Sequence, residues 1–167
     1  MHFTPTLSLI AAALAASSVA SPTRRQSPSD PVVFQTPEFS APVDGTIMSA
    51  GQSTALEIGS AEWNHCHPGY TPLGLYMLAS EPDNSSLNST YQFGEYLYFF
   101  GNFLFTNDQG LPPMSTPPPP TTLTMPDLGA QYVGQKVYLA SIETIFGCPP
   151  NGYTEYVWDW VQMYYTD

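Results

Sequence analysis

Hydrophobic and polar residues alternate along this chain in short runs, and Pro and Gly residues separate the runs. No apolar period of 3.6 residues is sustained beyond residue 30, so the pattern predicts strands and not helices. Val137, Leu139 and Ile145, for example, share one face of a predicted strand. Eight segments carry such a pattern: residues 32–39, 46–48, 53–58, 73–79, 91–105 (with a break near Gly101), 121–125, 136–146 and 153–165.

Seven or eight short strands predict an all-β domain, and we expect an immunoglobulin- or fibronectin-like antiparallel β-sandwich. Residues 111–122 contain six prolines. Proline cannot donate to a strand ladder, so this segment is expected to be an extended loop or the cover of a sheet edge. The length fits one domain.

The N-terminus is apolar and ends in the small residues Ser18-Val19-Ala20, which is typical of a secretory signal peptide. We expect residues 1–20 to be the signal and residues 21–25, ending in Arg24-Arg25, to be a short propeptide removed by dibasic processing. The single sandwich domain would then cover residues 26–167. Localisation is expected to be secreted, either extracellular or associated with the cell wall.

Charge is scarce and one-sided, because 3 Lys and Arg residues stand against 14 Asp and Glu residues. Processing would leave Lys136 as the sole basic residue. Nucleic acid is excluded as a partner, and anionic membranes and phosphate-rich ligands are disfavoured, since phosphate binding needs clustered Arg or Lys. Beyond the signal, no apolar run reaches the roughly 18 residues of a membrane span.

Cys66 and Cys148 are the two cysteines, and in an oxidising compartment the simplest expectation is one disulfide between them. A free thiol pair is the alternative. Asn84-Ser85-Ser86 and Asn88-Ser89-Thr90 are two N-glycosylation sequons in a polar stretch, so we predict glycans at Asn84 and Asn88. A plain surface loop is the alternative there.

Three segments carry a family resemblance: residues 41–54 (APVDGTIMSAGQST), 73–78 and 121–126. Their P-x-x-G-T and G-x-S spacing resembles that of fungal secreted, Ser/Thr-rich cell-wall β-sandwich domains of the immunoglobulin-like type. The resemblance implies a noncatalytic cell-wall or surface module. The Ser/Thr-rich tail and lipid-anchor signal of those domains have no counterpart here, so we expect no anchor.

Few residues of this chain are candidates for catalysis or metal binding. His65 and His67 alternate on an extended segment with Glu62 nearby, but two imidazoles make only a weak metal candidate, and no metal or other cofactor is predicted. G-x-S-x-G is absent, which argues against Ser-His hydrolysis. Glycoside hydrolysis needs two carboxylates across a cleft, and Glu143 and Glu155 could approach each other if the last two strands form a hairpin, with Asp159 near them.

Exposed aromatic rings would instead favour carbohydrate binding. Trp158 with Trp160, and Tyr96 with Tyr98, occupy same-face positions on predicted strands and could form a planar strip, although packing in the core is the alternative. We therefore predict no enzyme and no catalytic residue. The expected function is a secreted interaction module for cell-wall polysaccharide or an extracellular protein, and the alternatives are a carbohydrate-binding module and a small glycoside hydrolase.

Overall fold

The computed structural model describes residues 32–36, 38–61, 69–106, 110–148 and 152–167. Within these ranges the chain forms strands and two 3-10 turns, η1 (Asn84–Ser86) and η2 (Ala130–Tyr132). The strands are β1 (Val32–Gln35), β2 (Phe39–Ala41), β3 (Thr46–Ser49), β4 (Ser53–Ala55), β5 (Glu57–Ile58), β6 (Tyr70–Leu78), β7 (Tyr98–Thr106), β8 (Thr122–Thr124), β9 (Lys136–Cys148) and β10 (Tyr153–Thr166).

One six-stranded sheet, here called the main sheet, organises the molecule. Its order is β1-β10-β9-β6-β7, and β3 also pairs with β10. The strands β9, β6 and β7 follow β10 by antiparallel pairing, whereas β1 and β3 both run parallel to β10. Two small sheets, β2-β5 and β4-β8, complete the strand set of the described residues.

The all-β class is confirmed, but the predicted antiparallel two-layer sandwich is met only in part. The main sheet is mixed, and the strands outside it form pairs instead of a second full sheet. The reason lies in segments that were each predicted to be one strand. Residues 32–39 divide into β1 and β2, and residues 53–58 divide into β4 and β5 at the buried Leu56, so the resulting strands are too short for a broad sheet.

Alternation along β9 and β10 gives the main sheet two different faces. The inner face packs against the small sheets, and its core includes Leu75, Leu139 and Val161, with Leu56 and Leu123 from the small sheets. The outer face has its own core, which consists of Tyr76, Leu78, Phe93, Tyr138, Ala140, Ile142 and Trp158. Both faces of the main sheet are therefore covered, and β10 contributes buried residues to each.

The predicted strand at residues 91–105 is wrong over its first seven residues, 91–97. Tyr91 adopts a left-handed φ of 57°, and Phe93 folds back to contact the ring of Tyr76, so regular pairing starts only at Tyr98. Gly101 does not break the strand as predicted. It has a φ of 132° opposite the bulge between Leu75 and Tyr76, and β7 continues through it.

The proline-rich segment lies beside β7, the strand at one end of the main sheet. The backbone N–H of Leu104 donates to the carbonyl oxygen of Pro117 at 2.9 Å. Most residues from 111 to 120 are exposed and without regular structure. This segment therefore covers part of the edge of β7, as the proline content predicted.

Candidate functional site

Buried carboxylates lie on the inner face of the main sheet. Glu143 on β9 is paired in register with Val157, and Asp159 on β10 is paired with Ser141, so the two acids occupy neighbouring positions on that face. Glu38 reaches the same region from the start of β2. We call Glu38, Glu143 and Asp159 the carboxylate cluster.

Two members of the cluster accept several hydrogen bonds. Glu143 is fully buried, and its carboxylate accepts from Ser60 Oγ at 2.6 Å, from the backbone N–H of Ala61 at 2.8 Å and from the Thr71 hydroxyl. Asp159 Oδ2 accepts from the backbone N–H groups of Glu38 and Phe39 at 2.6 and 3.0 Å. These bonds give both carboxylates hydrogen-bond donors within the core and tie the small β2-β5 sheet to the main sheet.

Glu38 differs from both, because neither of its carboxylate oxygens has a hydrogen-bond partner in the described part of the chain. Its side chain is 7% exposed. Burial first, and then the nearby charges of Glu143 and Asp159, raise the pKa of Glu38 to about 9. Glu38 is therefore a neutral carboxylic acid at neutral pH, and sequence reasoning missed it because a single Glu in a Pro-flanked segment carries no recognisable signal.

The hydrolase candidates Glu143, Glu155 and Asp159 do come together on one face, as the hairpin argument predicted. Glu155 accepts from the Tyr153 hydroxyl at 2.9 Å. All three acids are at least nine-tenths buried, however, with exposed fractions of 0%, 3% and 6%. A glycosidase needs its two carboxylates on either side of an accessible bond, and this buried arrangement does not supply that access.

A polar groove opens on the other side of the molecule, along residues 78–97. It consists of two adjoining cavities of about 430 and 220 Å³, both of which are lined by Ser80 and Glu95. Further polar groups of the larger cavity come from Ser85, Ser86 and Asn88. The smaller cavity adds Ala79, Tyr96, Leu97 and Tyr132.

Local hydrogen bonds fix the walls of this groove. Asp83 caps η1, because its side chain accepts from the backbone N–H groups of Ser85 and Ser86. The hydroxyl bond from Ser85, followed by its backbone bond, holds the pKa of Asp83 below its ordinary value. Beneath Tyr96, which lines the groove, the Tyr76 ring lies 5.6 Å away, and the Tyr76 hydroxyl donates to Gln92. The groove is thus built on the buried outer-face core.

The aromatic strip predicted for carbohydrate binding does not form as proposed. Trp158 is 4% exposed and packs edge-on against Phe93, so it is a core residue and not a binding platform. Trp160 is half-buried against Tyr138. Both rings lie on the outer face, which residues 79–97 cover in part through Leu87 and Phe93. The alternation of residues along β10 could not predict that a distant segment covers this face.

Tyr96 and Tyr98 are exposed, by 52% and 45% respectively. They pack against different rings, because Tyr96 contacts Tyr76 and Phe99 whereas Tyr98 contacts Phe100. Tyr96 precedes β7 and lines the groove, but Tyr98 begins the strand outside it. Of the four predicted aromatic residues, Tyr96 is the one that the groove includes.

Both sequon asparagines are exposed at the surface, in accord with their sequence context. Asn84 Oδ1 accepts from the indole N–H of Trp158 at 3.2 Å. Asn88 lies in the wall of the groove. Glycosylation of either residue stays a prediction.

The metal and disulfide predictions depend on residues outside the described ranges. Glu62, His65, Cys66 and His67 all lie there. Cys148 is fully buried at the end of β9, and its bridge to Cys66 stays a prediction. Among the described residues, no group of three or more Asp, Glu, Cys or His side chains is arranged to hold a metal ion.

No family model, curated protein or solved structure matches this chain. The described residues also include no helix that is long and apolar enough to cross a membrane. The groove, the carboxylate cluster and the charge of the chain are therefore the features that bear on function.

Proposed function

We propose that the protein is a secreted, noncatalytic extracellular or cell-surface interaction module, and that the polar groove is its binding surface. The observation that carries this proposal is the position of Glu95 and Tyr96. Both are exposed; Glu95 lines both cavities of the groove, and its neighbour Tyr96 lines the smaller one. A concave surface with a few convergent polar groups and an aromatic ring is typical of a ligand site.

The noncatalytic part of the proposal is supported by the carboxylate cluster. Glu143 and Asp159 use their oxygens to hold backbone and hydroxyl donors, and they are buried away from any substrate. A wild-type protein that releases reducing sugar from a glycan would contradict this part and favour the glycoside hydrolase alternative.

Carbohydrate is the ligand class that the groove favours, which makes a carbohydrate-binding module the second candidate. An aromatic face can pack on the apolar face of a sugar ring, while hydroxyl and carboxylate groups bind its hydroxyls. Tyr96 supplies the ring, and Ser80, Ser86 and Glu95 supply the polar groups. Lys136, the one basic residue in the described ranges, does not line the groove, so we expect a neutral glycan such as a cell-wall polysaccharide.

Retention on insoluble polysaccharides, compared with retention on immobilised extracellular proteins, tests the proposed surface. We expect Tyr96→Ala and Glu95→Gln each to weaken binding about tenfold, which corresponds to about 1.4 kcal/mol. Tyr98→Ala and Glu81→Gln are matched controls, because both residues are exposed but lie outside the groove lining. Equal loss in the controls, or no loss in the groove variants with binding intact, would contradict the assignment of the groove.

The extracellular setting is part of the same proposal. It predicts a mature N-terminus at residue 21 or 26, one bridge between Cys66 and Cys148, and N-linked glycans at Asn84 and Asn88. Peptide mapping of the secreted protein, with and without reduction, measures all three. Two titratable thiols in the folded protein would overturn the bridge.

A further inference from the structure

Asn88 combines two features that are independent of each other. It is the acceptor of a glycosylation sequon, and it forms part of the wall of the polar groove. Asn84, the acceptor of the neighbouring sequon, does not line the groove and instead contacts Trp158. The two predicted glycans would therefore leave the surface at different places.

Hydrogen bonds hold the Asn88 side chain in one orientation. Its Oδ1 accepts from the backbone N–H of Thr90 at 2.8 Å, from the Thr90 hydroxyl at 2.7 Å and from the backbone N–H of Gln92 at 3.2 Å. The backbone N–H of Asn88 also donates to the Gln92 carbonyl oxygen at 2.8 Å. These contacts use the oxygen of the amide, while Nδ2, the atom to which a glycan is joined, makes no hydrogen bond to the described residues.

We propose that an N-linked glycan on Asn88 lies along the polar groove and occupies it as a tethered ligand. This inference rests on the proposed function of the groove as a saccharide site. The attachment joins Asn88 Nδ2 to the anomeric carbon of the first hexosamine of a lipid-linked oligosaccharide donor. The bond between that carbon and the diphosphate oxygen breaks, and the lipid diphosphate and the amide proton are released.

Tethering gives the attached glycan an advantage over any free one. A ligand on a short flexible link has an effective concentration in the mM range. An effective concentration about three times the intrinsic dissociation constant fills the groove in about three quarters of the molecules, which lowers access about fourfold. Trimming of the glycan would then open the groove, so glycan processing controls binding.

Selective nitration of tyrosine tests this occupancy in the full-length secreted protein. Tyr96 lines the groove, and Tyr98, of similar exposure but outside it, is an internal control. With glycan present, we expect Tyr96 to react about fourfold more slowly relative to Tyr98 than after an endoglycosidase trims each glycan to one hexosamine. The endoglycosidase leaves the polypeptide unchanged, so this measurement remains informative even if substitution of Asn88 prevents the loop from folding.

Asn88→Gln and Asn84→Gln form a matched pair, and intact mass gives the occupancy of each site. We expect faster nitration of Tyr96 in Asn88→Gln and no change in Asn84→Gln. An unoccupied Asn88, or a ratio of Tyr96 to Tyr98 reactivity that trimming does not change, would overturn the inference.

Binding by the trimmed protein separates this inference from the proposed function. If the trimmed protein binds polysaccharide through Glu95 while the tyrosine ratio stays constant, the inference fails alone. If the ratio changes on trimming but the trimmed protein binds neither polysaccharide nor protein, the proposed function fails and the tethered glycan stands.

Discussion

Replacement of Glu38 by Gln should remove a large part of the pH dependence of folding. Glu38 carries a raised pKa because its carboxyl group is buried without a hydrogen-bond partner in the described structure and faces the acids Glu143 and Asp159. The folded protein therefore keeps the Glu38 proton at pH values at which the unfolded chain has lost it. Stability from this group is complete below its ordinary pKa of 4.5, and it falls as the pH rises toward the folded pKa of about 9.

The magnitude follows from the size of that window. Each pH unit between the two pKa values lowers the free energy of unfolding by about 1.4 kcal/mol, so the loss from pH 4.5 to pH 7 is about 3 kcal/mol. A neutral Gln has no proton to lose. The free energy of unfolding of Glu38→Gln, relative to that of wild type, should therefore rise by about 3 kcal/mol between pH 4.5 and pH 7. This corresponds to roughly 10 °C in Tm for a domain of this size.

Urea unfolding at several pH values between 4.5 and 8 measures the effect directly. The difference between the variant and wild type cancels the titration of distant groups. Glu81→Gln is the control, because Glu81 is exposed and its replacement should leave the pH profile unchanged. A difference between Glu38→Gln and wild type that stays constant from pH 4.5 to pH 7 would refute the assignment of the buried proton to Glu38.

Three further substitutions test the packing around the site. Glu143→Gln should lower the free energy of unfolding by about 3 kcal/mol in urea titration, because an amide nitrogen cannot accept the bonds that the carboxylate accepts. Gly74→Ala should lose about 1 to 3 kcal/mol in the same assay, because the new Cβ would lie 2.8 Å from the buried Tyr76 ring; unchanged stability would show that the ring moves freely. Trp158→Ala should lower the free energy of unfolding by about 3 to 5 kcal/mol in thermal unfolding, whereas a near-neutral result would contradict the burial of this indole in the core.

The positions of most strands could be predicted because alternation is a local property. Predicted residues 136–146 and 153–165 correspond closely to β9 and β10, and the inner-face residues Val137 and Leu139 are fully buried, as expected. Which strands pair with each other could not be predicted in the same way. The parallel alignment of β1 and β3 with β10 depends on contacts between distant parts of the chain, which a local pattern does not encode.

The candidate site was harder to predict, and for a different reason. Ser141 and Glu143 interrupt an apolar face, and polar residues in a strand usually indicate solvent. Here donors from Ser60, Ala61 and Thr71 satisfy the Glu143 carboxylate within the core. Likewise, Tyr91 and Phe93 favour a strand by propensity, but in the structure they fold over the outer face, where Tyr91 stacks on Tyr156 and Phe93 packs against Tyr76.

The dependence of β1 and β3 on β10 has a consequence for biosynthesis. The strand that holds both of them is the last one of the described chain, and the contact between Glu38 and Asp159 spans 121 residues. During translation β1 and β3 therefore have no partner in the main sheet until β10 has been made, so this sheet cannot be completed in the order in which its strands are synthesised. The neighbours β6 and β7 can pair with each other before that point, whereas β1 and β3 can join the sheet only after β10 has emerged.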